Sequence, residues 1–122
     1  MIQRIELSPP NSILFVMDPE NKDIPILEPE QLVAATPSCV CVGTLMEHDG
    51  TVSVTLTDDN NYIERDTHLV FQGQVRVKSH NISICSVYDN RLLSLDIEAS
   101  VAEVKLFVND DSEPDKIVVV VT

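Results

Sequence analysis

The stretch DDNNYIERD, residues 58–66, sets carboxylates and side-chain amides close together. Oxygen-rich runs of this kind have two chemical uses. They ligate hard cations such as calcium, or they oppose a basic protein surface. An EF-hand loop needs a glycine at its sharp turn and a bidentate glutamate at its end. Residues 58–66 have neither, and the same holds for NDDSEPD, residues 109–115. A weak calcium site or a solvated loop with Asx turns are the other readings of these runs. No metal ligand set is assigned.

The remaining reactive side chains offer little. The histidines are His48, His68 and His80, and no Gly-x-Ser-x-Gly elbow or cysteine-protease signature accompanies them. Cys39, Cys41 and Cys85 contain no Cys-x2-Cys pair for zinc. Gly43, Gly50 and Gly73 are scattered, so no glycine-rich phosphate loop exists. Asp96 and Glu98 lie two apart near a strand end and share a face, where exposure is the default. The expectation is a protein without catalysis and without a cofactor.

Charge narrows the choice further. Twenty acidic and eight basic side chains give a formal net charge of −12. Phosphate contacts need clustered Lys and Arg, so nucleic acid is a poor ligand, and an anionic membrane equally so. A basic protein partner suits the charge, because a negative surface steers and speeds its approach. Between Asp18 and Asp66 eleven acidic residues face only Lys22 and Arg65. The contact residues expected are Asp58, Asp59, Glu64 and Asp66, with Asp110 and Asp111 second. If residues 18–30 fold against residues 58–66, the two acidic runs make one patch. The alternative is a structural or self-assembling domain that forms a homodimer through an exposed sheet face or edge.

Those loops must be held by strands. The chain has 122 residues, enough for one domain spanning 1–122 with a core of its own. Aromatics make up only 4% and Trp is absent, so the core must come from Val, Ile and Leu, which favour strands. No long window has helical apolar spacing; residues 28–35 (EPEQLVAA) admit one short turn or helix before Pro37. Elsewhere the period is two. IQRIEL and SILFVM flank a Pro9-Pro10-Asn11 break. CVCVGTLMEH and TVSVTLT flank Asp49-Gly50, which predicts a hairpin with Leu45 facing Val54 and Gly43 facing Leu56.

Residues 67–79 (THLVFQGQVRVKS) alternate, with Leu69, Phe71, Val75 and Val77 on one face and Val70 as the exception. Gly73 within that run signals a bulge or a close backbone approach. Residues 81–97 form a second hairpin around Asp89-Asn90, with Ile84 against Leu95 and Ile82 against Ile97. VAEVKLFV and KIVVVV pair across the acidic loop 109–115. The run Ile117 to Val121 lacks alternation, so both its faces should be covered. Residues 18–31 form an irregular surface excursion. These elements imply an all-β antiparallel sandwich of about eight or more strands.

No secretory leader or membrane-length apolar run is seen, and three cysteines make an odd count. Reduced thiols in a cytoplasmic protein are expected. Cys39 and Cys41, two apart on a strand, are poorly placed to bridge one another.

With the strands in order, the chain resembles the competence protein J family, small bacterial proteins that inhibit a DNA-entry nuclease. The resemblance runs through IELSPPNSILFVMD and IPILEPEQLVAATPSCVCVGTL. It is fullest in FQGQVRVKSHNISICSVYDNRLLSLDIEASVAEVKLFV, residues 71–108. It implies a non-enzymatic inhibitor whose partner is a nuclease.

Overall fold

The computed structural model describes residues 1–21, 23–88 and 90–122. Among these described residues ten strands follow one another: β1 (Ile2–Leu7), β2 (Ile13–Met17), β3 (Val33–Thr36), β4 (Cys39–Gly43), β5 (Val52–Thr57), β6 (His68–Arg76), β7 (Asn81–Cys85), β8 (Arg91–Asp96), β9 (Val101–Val108) and β10 (Lys116–Val121). They form two five-stranded sheets, ordered β1-β5-β10-β9-β6 and β3-β4-β2-β7-β8. The expected all-β sandwich is therefore present, with one parallel pair, β5 and β10, inside the otherwise antiparallel sheets.

The core lies between the sheets. Val52, Val54 and Leu56 of β5 meet Val104, Leu106 and Val108 of β9, Ile117, Val119 and Val121 of β10, and Leu14, Val16, Val40, Val42, Ile82 and Ile84 from the second sheet. Each such side chain contributes about 1.5–3 kcal/mol by leaving water. β-Branched residues dominate because they fit a pleated surface packed on one side.

The outer faces carry the unexpected feature. β5 runs parallel to β10, β10 antiparallel to β9, and β9 antiparallel to β6. β5 and β6 thus point the same way with two strands between them. Parallel strands need a crossover, so residues 58–67 must travel back over the outer face of the sheet. Thr55, Thr57, Val118 and Val120 are buried although they point away from the core, and Val118 lies beneath that crossover. The expectation that β10 is covered on both faces is met in this way.

The second sheet repeats the device. β2 and β3 are both antiparallel to β4, hence parallel to one another. Residues 18–21 and 23–32 cross the outer face, and Leu27 packs against an outer cluster of Phe15, Met17, Cys39, Cys41 and Cys85. The irregular excursion read from the sequence is this strap.

Four local expectations are corrected. The Asp49-Gly50 pair does not make a hairpin, because β4 and β5 belong to different sheets. The turn closes earlier, with the Asp49 amide donating to the Met46 carbonyl, and Gly50 at φ 145° serves the passage between sheets. Of the short turn or helix admitted over 28–35, the turn is present, and strand β3 follows it where a helix was the other option. In the β7–β8 hairpin Ile82 faces Leu95 and Ile84 faces Leu93, a slip that preserves each side chain's face. The loop is longer than two residues, and Asp89 lies outside the described residues. Finally, the bulge in β6 falls between Leu69 and Phe71, not at Gly73. It turns Leu69 outward and Val70 toward the core. Gly73 is instead where the Phe71 ring lies close: a Cβ there would meet Cζ at 2.9 Å.

Candidate surface of acidic straps

The β5–β6 strap is built by its own polar groups. Thr57 Oγ1 accepts from the Asp59 amide at 3.1 Å, and Asp59 Oδ1 from the Asn61 amide at 2.9 Å. The Tyr62 amide donates to the Asp59 carbonyl, and Thr67 Oγ1 to the Glu64 carbonyl at 2.7 Å. These Asx-type turns are what short polar side chains favour in a strand-to-strand passage. Side chains from the sheet then pin the strap. Arg4 of β1 donates to the Tyr62 hydroxyl and stands 5.8 Å from the ring centroid. Tyr62 donates to Glu64 Oε1 at 3.2 Å, and Lys105 of β9 to Asn60 Oδ1 at 3.3 Å. The Tyr62 hydrogen bond, then its charge interaction, raise the Arg4 guanidinium above its ordinary value.

The candidate contact residues fall at different stations along this strap. Asp58 sits at its start and binds the N-terminal ammonium at 2.8 Å, which holds its carboxyl below the ordinary value. Asp59 is taken up in the turn, Glu64 faces Arg4 at 4.0 Å, and Asp66 occupies a left-handed position at φ 64°. Asp110 and Asp111 join from the β9–β10 loop at the strap's far end. There Asp111 bonds the His68 ring. The amides of Glu113 and Ser112, then the Ser112 hydroxyl, hold Asp110 low, with His68 nearby. The strap thus links Asp58 at one end of the sheet with Asp110 and Asp111 at the other.

The two acidic runs do not merge. Leu27 anchors residues 23–32 on the outer face of one sheet, while residues 60–67 lie over Phe107 and Val118 on the outer face of the other. The straps form two separate acidic surfaces on opposite sides.

Two cavities lined by described residues adjoin the straps. One, of about 490 Å³, lies among Asp18, Glu20, Ser38, Arg76 and Lys78. Its charges are mixed, and Asp18 is already committed: Ser79 donates to it from Oγ at 2.6 Å and from the amide at 2.7 Å. Burial works against the charged form, but the bonds from Ser79 and Glu20, with Arg91 nearby, hold the Asp18 carboxyl below its ordinary value. The other cavity, of about 320 Å³, lies under the β5–β6 strap.

The other reactive groups are placed apart from these. His80 bonds the Ala99 carbonyl, and Asp96 accepts from Asn81 at 2.9 Å. All three cysteines are buried in the outer cluster that Leu27 of the β2–β3 strap covers. Burial, then the neighbouring Cys41 and Cys85, push the Cys39 thiol up to about 12. Among the described residues no group of three or more His, Cys, Asp or Glu could hold a metal ion. No helix among them is long and apolar enough to cross a membrane.

Reading by charge alone overlooked Arg4, Tyr62, Ile63, Phe107 and Val118. The available signal was the Tyr62-Ile63 pair, an aromatic and an aliphatic side chain inside an otherwise polar run.

No family model matches the sequence, and no match is found among curated proteins. Solved structures do match in shape. The fold is similar to that of ComJ, inhibitor of the DNA degrading activity of NucA, from Bacillus subtilis, with a TM-score of 0.68 and 16% identity. That match covers 99% of this chain and 97% of ComJ. The fold is also similar to that of crocagin biosynthetic gene J, with a TM-score of 0.59, 12% identity, and 98% and 96% of the two chains covered. The chain therefore has a ComJ-like fold.

Proposed function

We propose that this protein is a non-enzymatic inhibitor that binds a nuclease through an acidic surface. The observation that carries the reading is the likeness in fold to ComJ over nearly the whole of both chains. ComJ inhibits the DNA degrading activity of NucA. The geometry of the β5–β6 strap supplies the means. Its carboxylates are held in place before any partner arrives, so little ordering entropy is lost on binding. A nuclease must present cations to the DNA backbone. Carboxylates on a firm strap can occupy such a groove in place of phosphates and block DNA sterically. Asp58, Asp59, Glu64 and Asp66 are the proposed primary contacts, with Asp110 and Asp111 extending the surface.

The test is titration of the purified protein into DNA digestion by NucA and by the nucleases of its own organism. The expected result is stoichiometric loss of digestion with at least one of them. Undiminished digestion by all of them at protein excess would reject the inhibitor reading.

A further inference from the structure

The cavity beneath the β5–β6 strap has a composition that its acidic surroundings do not suggest. Its floor is apolar, made by Phe107 of β9 and by Val118 of β10, which is 2% exposed. Tyr62 and Ile63 form its wall, and Glu64 and Asn61 bring oxygen to its rim. Ile63 is 87% exposed, an unusual position for isoleucine on an ordered strap. At about 320 Å³ the space is at the small end of ligand sites. It suits one long side chain better than a nucleotide.

An apolar floor under a carboxylate rim matches a side chain with an aliphatic stem and a cationic head. Glu64 has capacity to spare. Its side chain is a quarter exposed, Oε1 accepts from Tyr62, and among the described residues Oε2 receives no donor. The strap already displays the pairing from another direction. Arg4 reaches it from β1, stands near the Tyr62 ring and approaches Glu64, whereas the cavity is floored by β9 and β10. A tyrosine ring beside a carboxylate favours a planar guanidinium, which stacks and forks, over an ammonium. Lys105 of β9 also reaches the strap, and it is engaged with Asn60.

We propose that this cavity is a socket for one arginine side chain of a basic protein partner. The stem lies against Phe107 and Val118, and the guanidinium meets Glu64 and the Asn61 amide oxygen. The identity of that partner rests on the inhibitor reading; the socket itself is testable without it.

The experiment is a titration of the full-length, 15N-labelled chain with N-acetyl-arginine amide, followed by NMR, with N-acetyl-norleucine amide as a neutral control of similar stem. The arginine compound is expected to shift the amides of Asn61, Tyr62, Ile63, Glu64, Phe107 and Val118 saturably. The norleucine compound and the Glu64→Gln variant should each weaken binding roughly fivefold. An unchanged spectrum outside the strap shows that the variant is folded. Equal binding of both compounds, equal binding by Glu64→Gln, or shifts confined to the 109–113 loop or the β2–β3 strap would overturn the socket. Arginine binding in the cavity without inhibition of any nuclease would leave the socket standing and remove the inhibitor reading. Full inhibition undiminished in Glu64→Gln would do the reverse.

Discussion

The side-chain amide of Gln3 pairs with the backbone of Ser94 in both directions. Nε2 donates to the Ser94 carbonyl at 2.7 Å, and Oε1 accepts from the Ser94 amide at 3.2 Å. Gln3 lies on β1, an edge of one sheet, and Ser94 on β8, an edge of the other. A side chain thus imitates the next strand and joins the two edges. Unpaired edges are where sheets recruit foreign strands, so the contact serves solubility as well as stability. Replacing Gln3 with Ala is expected to cost about 1–3 kcal/mol in denaturant unfolding, because the Ser94 groups lose their partners. It should also raise the tendency to aggregate. A loss below about 0.5 kcal/mol with unchanged solubility would show that the pair does not hold the edges.

Asp18 and Ser79 fasten the β2–β3 strap to the β6–β7 turn. The folded-state value of this carboxyl lies below its ordinary 3.8, so its stabilisation is complete above the unfolded value. It is lost as pH falls through the folded value. Asp18→Asn should therefore be less stable than the parent at pH 7, by about 1–3 kcal/mol, and the gap should narrow below about pH 4. Chemical denaturation at several pH values checks this. A gap independent of pH between 2 and 7 would remove the charged clamp.

The thiols report on the same strap. With Cys39 raised to about 12 and all three cysteines buried, the native protein should resist a thiol-specific reagent at pH 8 and react fully in denaturant. Rapid labelling of the native chain would show that residues 18–32 do not cover the sheet as described.

Structural and contact roles of the β5–β6 strap separate cleanly. Val118 lies beneath it and Ile63 on it, so Val118→Asp should cost at least about 2–4 kcal/mol and Ile63→Ser less than about 0.5. Thermal or urea unfolding of both variants measures the contrast. Similar losses for the two would contradict the layering.

These variants touch features of uneven legibility in the sequence. The strands could be read because alternation along Val52, Val54 and Leu56, or along Ala102, Val104 and Leu106, records one buried face. The β9–β10 pair and the full covering of β10 followed from the same logic. Sheet membership could not be read. Asp49-Gly50 carries strong local turn chemistry, yet the chain there leaves one sheet for the other, and local signals do not say which strands lie adjacent. The parallel β5–β10 pair joins residues far apart in sequence, and it alone makes residues 58–67 a strap. For the same reason the acidic run looked like a free loop. Tyr62 and Ile63 were the visible sign that it packs.

Electrostatic attraction should show in salt dependence. Binding to the proposed nuclease partner is expected to weaken steeply between low salt and 1 M, where the Debye length is only about 3 Å. Joint replacement of Asp58, Asp59 and Asp66 by Asn should lower affinity and flatten that dependence, whereas Glu28→Gln with Glu30→Gln on the opposite strap should change neither. Retention unaltered at 1 M salt would remove the electrostatic mechanism.

The most direct measurement is hydrogen exchange across the whole chain, free and in the presence of a nuclease whose digestion the titration shows it to block. New protection is expected over residues 58–68 and 109–113, with the β2–β3 strap unchanged. Protection confined to residues 18–32, or to the β3 edge, would contradict it.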